Sequence, residues 1–129
     1  MANELHFIGQ IRTPYKDLAS CPFNIQPDGP DCQIVLDPNY QQGLIGLQPG
    51  QTILVLYWFE NTRSTQMLQV VNEAEDDHMV GTFALRSPHR PNPIAVAMVE
   101  IQTITNGQII VRGMDCLDGT KLLDIKPAI

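Results

Sequence analysis

Apolar runs of strand length recur along the chain, with turn-forming residues between many of them. Leu5 to Arg12 predicts a first strand stopped by Thr13-Pro14. From Lys16 to Asp31 the chain carries Pro22, Pro27, Gly29 and Pro30, too many breakers for a ladder, and predicts a loop. Gln33 to Asp37 predicts a short strand, Tyr40 to Leu47 a single helical turn, and Pro49-Gly50 a turn. Thr52 to Phe59 is continuously apolar, and its β-branched and aromatic residues predict a strand buried on both faces. Ser64 stands as an N-cap before Met67, Leu68 and Val71, which predicts a short helix over 64–71. Further strands are expected over 79–85, 94–104, 108–112 and 121–125. Asn106-Gly107 between two of them is the strongest hairpin signal in the chain, and Asp118-Gly119 marks a last turn. About seven strands with little helix predict an all-β protein, a compact barrel formed as one domain over residues 1–129.

Composition agrees with this picture. Ten prolines and nine glycines suit many turns, and 43% hydrophobic residues supply a core. The net charge of −6 repels a phosphate backbone on average, which argues against a general nucleic-acid binder but leaves a local basic patch open. Cys21, Cys32 and Cys116 have no C-x-x-C spacing, the first residues lack a signal-peptide pattern, and no apolar run reaches the ~18 residues of a membrane span. A reduced, cytoplasmic protein with no membrane segment is the expectation.

The least ordinary stretch is Arg86-Ser87-Pro88-His89-Arg90-Pro91-Asn92-Pro93. Three prolines fix their own φ angles and push the residues before them toward extended backbone, so the loop is stiff. A stiff loop holding arginine forks loses little entropy when it fixes a carboxylate or phosphate. The plain alternative is a proline-rich crossover whose arginines pair with acids such as Glu60 or Asp115. Elsewhere the acidic run Glu73, Glu75, Asp76 and Asp77 reads as a solvated loop, and Tyr57-Trp58-Phe59 as core with one ring available to a base or adenine.

The run from Gly81 to Ile94, containing that loop, closely resembles the signature of the TsaA-like family, whose characterised TrmO-type branch comprises tRNA N6-threonylcarbamoyladenosine methyltransferases. Ile8 to Lys16, Val55 to Phe59, Asp115 to Thr120 and Leu123 to Pro127 match in family order, so the resemblance covers nearly the whole chain. It implies a β-barrel, a homodimer, and S-adenosylmethionine as cofactor, without a G-x-G-x-x-G loop. Carried over by motif position, it implies cofactor contacts at Gln26, Pro27, Asp28, Glu60, Asn61, Arg86, Val96, Gly113, Met114 and Asp115. In such a site Arg86 clamps the cofactor carboxylate, Glu60 or Asp115 meets its ammonium or ribose, and Val96 and Met114 flank the adenine.

Methyl transfer needs mainly alignment, and Asp118 or His89 is the candidate base for any acceptor proton, although Asp118 in Asp-Gly-Thr also reads as an ordinary turn residue. For a tRNA acceptor, Arg90, Asn92, Arg12 and Lys16 are the candidate substrate contacts. Two departures bear on the acceptor: the family's bacterial tRNA enzymes carry a further domain after the Asp-Ile-Lys-Pro element, where this sequence stops at Ile129, and Ala128 replaces the usual aromatic. The acceptor therefore stays open between modified adenosine in tRNA and a small molecule. A non-catalytic module that binds or senses S-adenosylmethionine is the reading from a different class.

Overall fold

The structure, a computed structural model, describes residues 3–59, 66–73 and 76–129. Among these are β1 (Gly9–Arg12), β2 (Asp31–Leu36), β3 (Thr52–Trp58), β4 (Leu68–Glu73), β5 (Asp76–Gly81), β6 (Ile94–Glu100), β7 (Thr103–Thr105), β8 (Gln108–Arg112) and β9 (Thr120–Pro127). The helical pieces are two short 3₁₀ segments, Pro38–Leu44 and Thr82–Ala84. The protein is all-β, as the pattern predicts.

Seven strands form one antiparallel sheet in the order β6-β3-β9-β1-β2-β8-β7, and β4 and β5 pair separately as a two-stranded ribbon. Strict alternation places Ile11, Ile34, Ile53, Val55, Ile109, Val111 and Leu122 on one buried face, where each contributes roughly 1.5–3 kcal/mol of burial. β3 is more one-sided than its apolar run suggests: Ile53, Val55 and Tyr57 are buried, while Leu54, Leu56 and Trp58 are half-buried on the other face.

The sheet curls on itself but its ladder is open. Its two edge strands, β6 and β7, are consecutive in the chain, separated only by Ile101 and Gln102. Ile101 N–H donates to the Gln51 carbonyl at 2.9 Å and Gln102 N–H to the Ile110 carbonyl at 2.8 Å, so the chain crosses from one edge to the other through single backbone bonds. Among the described residues no ladder joins β6 to β7 or β8, and this is where the architecture falls short of a closed barrel.

Two local expectations are corrected. Leu68 onward is strand, not helix, because six consecutive pairs with β5, from Leu68↔Gly81 to Glu73↔Asp76, satisfy its backbone; the proposed cap Ser64 lies outside the described residues. The expected strand over 79–85 ends at Gly81 and gives way to the 3₁₀ turn at Thr82. Of the acidic run expected as a loop, Glu73 ends β4 and Asp76 and Asp77 begin β5, drawn into strand by the same pairing, and Glu75 lies outside the described residues. The Asn106-Gly107 hairpin forms as expected, with φ of 42° and 80° at its two central residues. No helix among the described residues is long and apolar enough to cross a membrane.

Candidate functional site

The loop after β5 is knitted from within. Buried Thr82 donates its hydroxyl to the His89 carbonyl at 2.9 Å, and the Gln69 amide on β4 reaches both Thr82 Oγ1, at 2.7 Å, and the His89 carbonyl, at 3.0 Å. Ser87 Oγ accepts from His89 N–H at 3.2 Å. Arg90 turns inward: Nη1 donates to the Leu85 and Ser87 carbonyls at 3.0 and 2.7 Å, and Nη2 to the Thr82 carbonyl at 3.5 Å. The end of the loop is fixed to β3, where Phe59 N–H donates to the Pro93 carbonyl at 2.9 Å. Proline stiffness and these bonds together hold Arg86 at the edge of a cavity.

That cavity has a volume of about 1190 Å³ and lies between the loop, the ends of β3 and β6, the segment after β8 and the early loop. It brings together six of the expected site residues, Arg86, Val96, Asp115, His89, Asp118 and the inward-turned Arg90. Its interior is marked by Tyr57, whose hydroxyl donates to Asp115 Oδ1. Burial raises the Asp115 carboxyl above its ordinary value, an effect opposed by the Tyr57 hydrogen bond and the Arg86 charge. Burial and the adjacent Asp115 push the Tyr57 hydroxyl up as well. Arg86 is exposed, with Nη1 3.5 Å from the Val96 carbonyl. Apolar wall is supplied by Ile25, Phe59 and Leu85. A carboxylate and a cation set against apolar and aromatic surface form a site for a zwitterionic ligand with a flat ring.

Asp118 behaves differently. Its Oδ1 accepts from Arg12 Nε at 2.9 Å and from Thr13 N–H at 3.1 Å, and its Oδ2 from Lys16 Nζ at 2.8 Å. The Lys16 hydrogen bond, ahead of the Thr13 N–H bond and the Arg12 charge, holds this carboxyl below its ordinary value. Such a carboxylate is fully ionised but has both oxygens occupied, which makes it a poor proton acceptor and a good anchor for two cations.

The remaining expectations separate from the cavity. Gln26, Pro27 and Asp28 are exposed and are not among its lining residues; Gln26 is instead tied to Gly113 by an N–H to carbonyl bond of 2.8 Å. Gly113 and Met114 are buried, and Met114 belongs to the core, so its side chain is not available to flank an adenine there. Gly113 has φ of +69°, and a Cβ at this position would overlap the Gln26 carbonyl. Asn92 is exposed on the loop, outside the lining. Glu60 and Asn61 lie outside the described residues. Sequence reasoning missed the neighbouring part of the early loop, in which Leu18 and Cys21 to Ile25 line the cavity and Phe23 is 96% exposed. Apolar residues in a proline-rich loop were the available signal.

Residues 10–129 match the family model of the tRNA-methyltransferase O N-terminal domain. The chain is 38% identical over 123 residues to a probable S-adenosyl-L-methionine-binding protein, VirR, of Rhizobium radiobacter, a match covering 95% of this chain and 69% of that protein. It is 33% identical over 92 residues to the tRNA (adenine(37)-N6)-methyltransferase of Mus musculus, covering 70% of this chain and 21% of that one. A crystal structure of TrmO superposes on the whole chain with a TM-score of 0.78 at 26% identity, and the chain spans 58% of it. Matching motifs, a shared fold and a family match over nearly all its length lead to one conclusion: the chain belongs to the tRNA-methyltransferase O N-terminal domain family.

Proposed function

We propose that the chain is an S-adenosylmethionine-dependent methyltransferase whose acceptor is N6 of threonylcarbamoyladenosine in the tRNA anticodon loop or a closely related group. The observation that carries the reading is the cavity in which Arg86 and Asp115 face a common space beside apolar walls. The residues fit the cofactor's chemistry. Exposed Arg86 matches a carboxylate, Asp115 an ammonium or ribose hydroxyl, and Phe59, Leu85 and Val96 an adenine. When bound, the cofactor supplies an electrophilic methyl on a sulfonium. The chain's task is then to align an acceptor nitrogen behind that methyl at ~3–3.5 Å and to exclude water, which positioning alone rewards strongly. Tyr57 fixes the Asp115 carboxylate in one orientation. Asp118 and His89 both line the cavity, and the cations on both Asp118 oxygens make that carboxylate the weaker base of the two candidates for the acceptor proton.

A second copy of the chain belongs to this proposal. The β4–β5 ribbon exposes Leu68, Val70 and Met79, each more than half accessible, and Phe23 stands at the cavity mouth almost wholly uncovered. A homodimer covers such surface and completes the pocket of each protomer. A cytoplasmic location completes the same reading.

Similarity to a protein described only as S-adenosyl-L-methionine-binding supports a second reading, a non-catalytic binding module. Transfer of labelled methyl to tRNA with and without the threonylcarbamoyl group separates the two. The methyltransferase reading expects label in the modified tRNA and little in the unmodified one. Protein that binds the cofactor yet labels neither contradicts it and leaves the binding module.

A further inference from the structure

A second concave surface lies outside the cavity. The outward face of β1, β2, β8 and β7 forms an open groove of about 850 Å³. Register sets its floor: Arg12 lies opposite Gln33, Gln33 opposite Ile110, and Ile110 opposite Thr103, with Asp31 opposite Arg112 in the next row. Although the chain carries a net charge of −6, three of its eight lysines and arginines, Arg12, Lys16 and Arg112, line this one groove.

The two arginines are held in the same way. Arg12 Nε donates to Asp118 at 2.9 Å and Arg112 Nε to Asp31 at 3.4 Å. A bond through Nε fixes the plane of the guanidinium without engaging its two Nη groups, and both side chains are about half exposed. Lys16, 74% exposed, is tied to the other oxygen of Asp118 at 2.8 Å. Between the cations the floor offers amides and a hydroxyl from Gln10, Gln33, Gln102 and Thr103. Asp118 lines both the groove and the cavity, so the two surfaces meet at this residue.

We infer that this groove is a track for the phosphodiester backbone of an RNA acceptor strand, with Asp118 as the positioning residue that orients Arg12 and Lys16 where the track meets the cavity. The inference rests on the proposed RNA acceptor. Pre-oriented guanidinium forks match phosphate oxygens bidentately. Neutral amides between them suit sugar hydroxyls and base edges, and the apolar side chains of Val35 and Ile110 on the same floor suit base faces.

The test is tRNA binding to the full chain across a salt series, followed by anisotropy. Arg12→Gln combined with Arg112→Gln should weaken binding about tenfold or more, the scale of lost hydrogen bonds to charged groups. It should also reduce the slope of log affinity against log salt by about 1.4, at ~0.7 for each of two single-strand phosphate contacts. Affinity for S-adenosylmethionine, measured by calorimetry, should not change. Lys126→Gln removes one charge from β9 outside the groove lining and should leave tRNA binding near wild type. Asp118→Asn should raise KM for tRNA while kcat holds, whereas loss of a base would lower kcat. Wild-type protein that does not bind tRNA overturns the inference, as does a double variant that binds like wild type or an equal loss in Lys126→Gln. RNA that binds with the expected groove dependence but accepts no methyl overturns the acceptor reading and leaves the groove standing.

Discussion

Asp115 and Asp118, three residues apart, sit in opposite electrostatic surroundings, and their titrations should run in opposite directions. Burial raises the Asp115 carboxyl from its ordinary 3.8, so the folded chain holds this proton at a pH where the unfolded chain has released it. Stability associated with Asp115 is therefore full below about pH 4 and is lost as pH rises through the folded value. Without cofactor, Asp115→Asn should be more stable than wild type at neutral pH, with the gap closing toward pH 4 in a thermal-melt series; a gap that does not change with pH contradicts the assignment. Asp118 is lowered from 3.8 by Lys16, Thr13 and Arg12, so its contribution is present above about pH 4 and disappears as pH falls through the lower folded value. Its partners are half or more exposed, and Asp118→Asn should cost only about 1 kcal/mol at neutral pH in low salt. The same melts in acid should show the two proteins converging. The motif Asp-Cys-Leu-Asp-Gly-Thr presents both residues but cannot reveal this contrast, because the Tyr57 hydroxyl and the Lys16 ammonium arrive from 58 and 102 residues away.

Elements were legible where the deciding forces are local. Asn106-Gly107 adopts the positive φ angles that a tight hairpin requires, and the stiffness of the 86–93 loop follows from its own prolines. Where long-range pairing decides, the local pattern misleads: the helical spacing of Met67, Leu68 and Val71 yields to the β5 register, while no local pattern in the early loop marks Cys21 to Ile25 as cavity lining. The bond from Gln26 N–H to the Gly113 carbonyl pins that loop against the strand exit 87 residues later. Gly113→Ala forces a Cβ into the Gln26 carbonyl from a positive-φ position and should destabilise the chain by about 2 kcal/mol or more in denaturant unfolding. Arg90, expected at a phosphate, holds the carbonyls of its own loop. Arg90→Ala should therefore lower stability by about 1.5–3 kcal/mol, and Arg90→Lys should rescue little because an ammonium cannot span those carbonyls. Full rescue by lysine would show that charge alone matters there.

At the scale of the whole molecule, the curled sheet supplies rigid strand ends and the knitted loop supplies the cation, so the cavity is assembled from segments far apart in sequence. The proposed dimer would cover the exposed apolar ribbon and Phe23. Sedimentation at micromolar concentration should find a dimer, and a strict monomer with cofactor present would remove the second copy from the account. The central claim is that the Arg86–Asp115 cavity holds S-adenosylmethionine, and titration calorimetry tests it most directly. Wild type should bind S-adenosylmethionine or S-adenosylhomocysteine with a single site per chain. Arg86→Ala should bind about 10- to 100-fold more weakly, as loss of a charge-assisted hydrogen bond of ~1.5–3 kcal/mol requires. Equal affinity in Arg86→Ala, in protein that melts like wild type, would contradict the claim.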